Sequence, residues 1–413
     1  MKFHINKVTQ SCRLGILSEF SNAADKVIQT PACMMYTRGG HIPSLGADLI
    51  AKLKHNSGLV QMPLTYLAEH CEGIRNYEKG IHLFTGNPDS VVMSSLQDPV
   101  QARPTGYNDT KTSSIWTRHG RKKLNVEAYM KMQDAMMPDF YEALADFDTP
   151  DDSTKKRLQK AHDRSLNFLD ECLAWHGKSD RLKNSAILGV IGGGHNVEDR
   201  IRSAKEVSKR PVQGFVVSGL HQFGPESEKF ELASRQSILE KSLSQLPKDK
   251  PRFLHGILNP HNVISAVELG IDVIDSTYPY VAASRGCALQ FDFRFPVNPP
   301  EESDEEQNTG YEMNLKDKKY FDDFSPLLRG CQCYTCSTHT RAYVNHLLNT
   351  GELLADILLM IHNLQHYSAF MEQVRQAISS ERFDELKRII LAQKVESKNG
   401  EEENGGGDHA AQG

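Results

Sequence analysis

The chain has 413 residues, 39% of them hydrophobic and 24% charged, enough for one large barrel or two ordinary domains. It has no apolar run long enough to cross a bilayer, and its first residues lack both the apolar core of a secretory signal and the basic, acid-poor character of a transit peptide. A formal net charge of −5 excludes a chain that holds nucleic acid by bulk basicity, so any such contact is local or shared with a partner.

In chain order, Leu45–His55 reads as a helix, and Gly58–Met62 and Ile81–Phe84 as buried strands. The dense basic run Arg118, His119, Gly120, Arg121, Lys122, Lys123 reads as a solvated loop. Leu124–Met136 and Ser153–His176 read as helices, with Leu144–Asp148 a strand between them. The clearest stretch follows. Ala186–Ile191 is a strand ending in Gly192-Gly193-Gly194, and Val197–Lys209 is a helix. Gly214–Val217 is a strand ending in Ser218-Gly219-Leu220, and Lys229–Leu246 is helical. Arg252–Leu258 is a strand, with Asn259 and Pro260 as cap and first turn of a helix through Leu269. Ile271–Ile274 is the next strand, ending in Asp275-Ser276-Thr277.

Strand–helix–strand repetition with strands apolar on both faces requires a parallel sheet covered on both sides. The units suffice for an α/β fold of the (β/α)8 TIM-barrel type, with an open doubly wound sheet as the alternative. In either, chemistry belongs at the C-terminal ends of the strands. The three glycines at 192–194 suit a tight strand-to-helix turn better than a phosphate cradle, because no Lys-Ser or Lys-Thr follows them.

The rhythm breaks over Pro296–Asp323, which is acidic and reads as a flexible loop. Thr340–Ile361 and His366–Ser379 read as long helices, and the low-complexity end reads as a tail without fold. The expected organisation is therefore a barrel over residues 1–323, with an N-terminal extension and the acidic loop near 296–323. A zinc-binding subdomain with C-terminal helices follows over 324–385, then a mostly disordered tail over 386–413.

Five of the eight cysteines (Cys12, Cys33, Cys71, Cys172, Cys287) are scattered and read as small buried hydrophobes. The other three, Cys331, Cys333 and Cys336, fall within six residues, too close to pair off into disulfides but able to converge on one cation. Three cysteines and a histidine form a closed tetrahedral set for Zn2+ with no open position, which implies a structural ion. His339 is so close in sequence that it would crowd the chelate, and His346 reads as a helix-surface residue. His362, read as the far end of the first long helix, is the favoured fourth ligand.

At these residues the sequence resembles the tRNA-guanine transglycosylase family, which has a Cys-x-Cys-x2-Cys site with a distant histidine at the spacing of Cys331, Cys333, Cys336 and His362. The flanking segments Cys333–Leu354 and Met360–Tyr367, the stretch Lys250–Ser276, and the strand ends at Ala186–Gly194 and Gly214–Leu220 also match, so the resemblance runs over about residues 10–380. It implies a barrel enzyme that exchanges a guanine base for queuine at the tRNA anticodon wobble position, which is queuosine modification. One aspartate attacks the ribose and a second handles the proton.

Carried over residue by residue, the resemblance puts the nucleophile position on Asp275. The family's Pro-Thr-Arg grip on the anticodon loop becomes Pro279-Tyr280-Val281, with Arg285 nearby but out of register. The Asp-Ser-Gly-Gly segment aligns with Val92-Met93-Ser94, leaving Asp89-Ser90 out of phase. The base-reading glutamine becomes Gly192, the Gly-Gly-Leu becomes Ser218-Gly219-Leu220, and the pocket methionine becomes His255. The base-contacting aspartate has a counterpart in Asp146, for which Asp148 competes.

Groups that act as a unit lose activity by orders of magnitude when some are removed. The pattern therefore implies no catalytic residues, a vestigial Asp275, and the non-catalytic half of a heterodimer that meets tRNA through its catalytic partner. In the family the zinc region lies at the dimer interface, so the helices from Thr340 to Ser379 are the expected contact. An active enzyme using Asp275 with Asp89, and a zinc-stabilised barrel scaffold without a tRNA role, are the competing readings. The expected address is cytoplasmic, and peripheral attachment to an organelle surface such as the mitochondrial outer membrane is compatible with it.

Overall fold

Eight short segments in which every residue is buried line up side by side in the computed structural model, which describes residues 1–146, 148–150, 152–294 and 310–393. They are β1 (Ala32–Tyr36), β2 (Leu59–Pro63), β3 (Val91–Ser95), β4 (Phe140–Glu142), β5 (Ala186–Ile191), β6 (Gly214–Val217), β7 (Arg252–Leu254) and β8 (Val273–Asp275). All neighbours pair in parallel, and β8 closes on β1 through Val273 opposite Ala32, Ile274 opposite Cys33 and Asp275 opposite Met34. The result is a closed eight-stranded parallel barrel of the TIM type.

Burial on both faces explains the continuous apolar runs: one face fills the lumen and the other packs under helices. Polar caps set where those helices start. Asn125, Thr154, Asn196 and Asn259 each accept the backbone N–H three residues on, at the heads of Val126–Met136, Lys155–His176, Val197–Ser208 and Pro260–Glu268.

Several elements differ from the sequence reading. Ile81–Phe84 is not a strand but part of the helix Gly80–Phe84, with Ile81 and His82 turned in and Leu83 and Phe84 exposed. A short apolar run cannot distinguish the two states by periodicity. The third barrel strand is Val91–Ser95, and the fourth ends at Glu142, before the segment Leu144–Asp148 that reads as strand. Leu45–His55 shrinks to Ala47–Ile50, and Lys229–Leu246 shrinks to Gln236–Leu243 behind two 3-10 turns.

The N-terminal extension is an antiparallel sheet of Lys2–Thr9, Cys12–Ser18 and Ile28–Thr30. It covers the N-terminal end of the barrel, where the Arg13 guanidinium lies 3.1 Å from Asp272 at the foot of β8. Burial dominates there and raises the Asp272 carboxyl to about 7, although Arg13 pulls the other way. Residues 296–309 of the acidic segment, and the tail beyond residue 393, lie outside the described residues, whereas 310–323 is not the flexible loop expected there but holds the strand Glu312–Asn314, paired antiparallel with Cys287–Leu289, and the turn Lys318–Tyr320. The helix Phe383–Ala392 packs Phe383, Leu386 and Ile390 into the core.

The two long C-terminal helices run over Arg341–Thr350 and Leu353–Ser379. Their break falls at Gly351, whose φ of +73° is the left-handed conformation that ends a helix at low cost only with glycine. His362 is therefore inside a helix of 27 residues, not at a chain reversal. That helix spans two cores. Ala355, Leu358, Leu359 and Ile361 join a small core with Cys333, Cys336, Val344 and Leu347, whereas Phe370, Val374 and Ile378 join the main barrel core.

Candidate metal centre and the barrel mouth

A turn and a helix converge on the metal centre. Cys333 caps the short helix Tyr334–Thr338, its sulfur accepting the Cys336 N–H at 3.3 Å, which turns Cys331, Cys333 and Cys336 to one side. The long helix supplies His362, fully buried, with Nδ1 at 3.8, 3.5 and 3.3 Å from the sulfurs of Cys331, Cys333 and Cys336. All four ligand atoms lie within 4.8 Å of one another. Metal–sulfur bonds of about 2.3 Å and a metal–nitrogen bond of about 2.05 Å at tetrahedral angles put sulfur and nitrogen about 3.6 Å apart, so the set fits such an ion.

The other ring nitrogen supports this fit. His362 Nε2 donates to the carbonyl of Leu289 at 2.8 Å, which leaves the Nδ1 lone pair facing the sulfurs. One helical turn on, His366 Nε2 donates to the Phe291 carbonyl at 2.9 Å, and between them Asn363 takes the Leu289 N–H and donates to the Cys287 and Pro279 carbonyls. The helix is thus fastened to the strand Cys287–Leu289 by side chains. Hydrogen bonds with Cys333 and Cys336 pull the Cys331 thiol down, while those with Cys331 and Cys333 push Cys336 up. Three thiolates cannot share this space without a cation. His339 stacks on Tyr343 at 5.3 Å between ring centroids and His346 is exposed, so neither belongs to the cluster.

At the barrel's C-terminal mouth, the carboxylates at the expected chemical positions are already occupied. Asp275 is fully buried. One oxygen accepts the Gly256 N–H at 3.0 Å; the other accepts the Thr277 N–H at 3.1 Å and the Thr277 hydroxyl. Nδ1 of His255 lies 3.5 Å from the same carboxylate. Burial opposes a charge on this imidazole, but the hydrogen bond to Asp275 and the nearby Glu142 raise its pKa. Glu142 is itself pushed up by burial and receives the Leu96 N–H.

Asp146 rather than Asp148 faces the interior. It accepts Arg157 twice at 2.9 Å, Arg164 at 2.8 Å and Asn108 at 2.8 Å. Burial works against its charge, but the Arg157 hydrogen bonds hold the carboxyl below the usual range. Asp148 accepts the Gly106 and Tyr107 N–H groups. A third mouth carboxylate, Asp98, carries no sequence signal. It accepts the Tyr36 hydroxyl at 2.9 Å, the Tyr66 hydroxyl at 2.6 Å and the Val100 N–H at 2.9 Å.

Asp89 is exposed and lies two residues before β3, at the opposite end of the barrel from Asp275. A five-residue strand separates it from the mouth by about 15 Å, so the pairing of Asp275 with Asp89 fails on geometry. Arg285 is clipped to Glu228 and Glu312, the latter at 2.6 Å, and so does not replace the missing anticodon arginine.

The glycines after β5 form a tight turn. Gly193 and Gly194 have φ of +122° and +54°, and a Cβ on Gly193 would sit 2.7 Å from the Arg200 backbone nitrogen. The buried Arg200 guanidinium, lowered to about 9 by desolvation, donates to the carbonyls of Gly194, Ser218 and Gly219 and so ties the β5 and β6 ends together. The space left among Gln97, Glu142, His255, Phe223 and the 218–220 backbone has room for about one water.

Fold and site together define a (β/α)8 barrel that carries three cysteines and one histidine placed to hold a metal ion, and whose mouth carboxylates are bonded to the chain's own groups. The family model for queuine tRNA-ribosyltransferase matches residues 9–396. Proteins named "Queuine tRNA-ribosyltransferase accessory subunit 2" from Homo sapiens and Danio rerio are each 39% identical, over 95% of this chain and 100% and 99% of their own lengths. The same-named Drosophila mojavensis protein is 33% identical over 96% of this chain and 93% of its own. The chain belongs to the queuine tRNA-ribosyltransferase family.

Proposed function

We propose that this chain is the non-catalytic accessory subunit of a heterodimeric queuine tRNA-ribosyltransferase, the complex that exchanges guanine for queuine in tRNA. One observation carries the reading. The carboxylate at the nucleophile position, Asp275, has no exposed surface and its acceptor sites are filled by Gly256 and Thr277. A nucleophile must reach the ribose carbon to within about 3–3.5 Å, which this carboxylate cannot do without breaking up the β7 and β8 ends.

The chain's own contribution is a docking surface, held by one structural zinc ion on Cys331, Cys333, Cys336 and His362. Beside that ion the surface is aromatic and apolar: Phe321, Phe324, Tyr334, Tyr343 and Leu353 are all at least 40% exposed. Large exposed apolar groups on one module favour a protein partner, here the catalytic subunit. None of the eight cysteines forms a disulfide, in keeping with a reducing, cytoplasmic compartment. No helix among the described residues is long and apolar enough to cross a membrane.

The test is incorporation of labelled guanine into an anticodon-stem tRNA substrate by the purified chain, by a catalytic homologue, and by the two together. The expected result is no exchange by this chain alone and a rate in the mixture well above that of the homologue alone. Robust exchange by this chain alone would overturn the reading.

A further inference from the structure

The basic run at 118–123 is not a loop but the turn and second strand of a β-hairpin, Ser113–Thr117 paired with Gly120–Leu124. Ile115 and Leu124 are completely buried on the inner face, and Lys122 reaches inward to the Ala68 carbonyl. Trp116 stands directly opposite Arg121, and Ser114 opposite Lys123, so these four share the outer face, with Ser114 buried beneath Arg121 and Tyr107. The Arg121 guanidinium lies 4.7 Å over the ring of Tyr107, which meets Trp116 edge-on at 5.7 Å. Arg118 and His119 form the exposed tip.

The ribbon therefore presents a guanidinium–aromatic stack between two exposed cations, Arg118 and Lys123. It is rooted at the mouth: Gln97 donates to the Ser114 carbonyl, Ser113 to the Ala145 carbonyl, and Asn108 to Asp146. Glu69 lies 3.7 Å from Arg118 and 3.0 Å from His119, and Asp109 lies 3.5 Å from Lys123. Surface pairs of this kind contribute little and can exchange for phosphate oxygens.

We infer that the outer face of this hairpin is an RNA-contact surface, on which Arg118 and Lys123 take backbone phosphates and the cluster of Trp116, Arg121 and Tyr107 receives an unstacked base or ribose of the tRNA. RNA is favoured because aromatic rings flanked by cations suit a polyanion with π-faces. In a chain of net charge −5, this local contact can add to a partner's tRNA grip. The inference rests on the accessory-subunit reading and specifies where this chain touches the substrate.

The test is fluorescence anisotropy of labelled tRNA with the complex of this chain and a catalytic homologue, titrated at several salt concentrations. In the double variant Arg118→Ala, Lys123→Ala, the slope of log K against log salt should fall by about 1.4, at about 0.7 per lost phosphate contact. Trp116→Ala should weaken binding about tenfold, and Trp116→Phe should restore most of it. Heterodimer formation and melting temperature should not change in the double variant. Wild-type affinity and salt slope in both the double variant and Trp116→Ala, with the complex intact, would overturn this inference alone. Failure of the wild-type chain to form any tRNA-binding complex would overturn the accessory reading and this inference with it.

Discussion

Thr277 holds the carboxylate of Asp275 twice, donating both its backbone N–H and its hydroxyl to the same oxygen. The contact joins the end of β8 to the first residue of the helix Thr277–Ser284. An aspartate held this way is a structural element, and its removal should be felt in stability rather than in turnover.

Asp275→Asn should therefore leave guanine exchange by the complex within about twofold of wild type while destabilising this chain by about 1–3 kcal/mol, because an amide NH2 must then face N–H donors in the buried cap. Paired exchange assays and urea unfolding check both halves. An intact fold with abolished exchange would make Asp275 a working nucleophile.

The metal module should bind one zinc per chain, measurable by elemental analysis. Cys336→Ser or His362→Ala should abolish tight retention. Because the thiolates must lose their protons to bind, affinity should fall steadily as the pH is lowered. A chelator titration followed by circular dichroism should show loss of helical signal as the ion leaves.

Asp146 gives a pH dependence with a definite sign. Its folded pKa is depressed, so the ionised carboxylate contributes stability above its unfolded value of about 3.9, and that contribution is lost as the pH falls through the folded value. Asp146→Asn should cost about 3 kcal/mol at neutral pH, because Arg157 and Arg164 lose their partner, with part of that loss offset by the water Arg157 still reaches. The variant should also lose the acid-side slope of stability below about pH 4. Urea midpoints measured from pH 2 to 7 test both statements.

Partner docking should depend on the exposed rings beside the metal. The double variant Phe324→Ala, Tyr343→Ala should weaken the heterodimer by at least about tenfold with little change in the chain's own melting temperature. Analytical ultracentrifugation of the mixed subunits measures the first effect and a thermal melt the second.

What could be read from the sequence was local. The cap at Asn259, the runs at Ala186–Ile191 and Gly214–Val217, and the cysteine spacing each state their structure within a few residues. The first and third barrel strands escape the reading because Ala32–Tyr36 and Val91–Ser95 mix Cys, Met and Ser into short runs with no period of their own, and the fourth, Phe140–Glu142, lies just before the segment read as strand. The satisfied state of the mouth was out of reach for a different reason. Asp98 is held by Tyr36 and Tyr66, 62 and 32 residues away. Asp275 answers to Gly256, and Asp146 to arginines 11 and 18 residues further along the next helix. These partners come from distant parts of the chain, so the bonds that hold the mouth carboxylates appear only when the strand ends are brought together.

The helix Leu353–Ser379, about 40 Å long, carries the metal histidine in one half and barrel core residues in the other. A rod of that kind makes the two regions a single cooperative unit. Unfolding of the cysteine module and of the barrel-facing half of this helix should therefore occur in one transition, and an ion held by His362 should stabilise packing at the other end through the shared backbone. A partner gripping the module would therefore hold the whole barrel, and the hairpin it carries, at a fixed bearing.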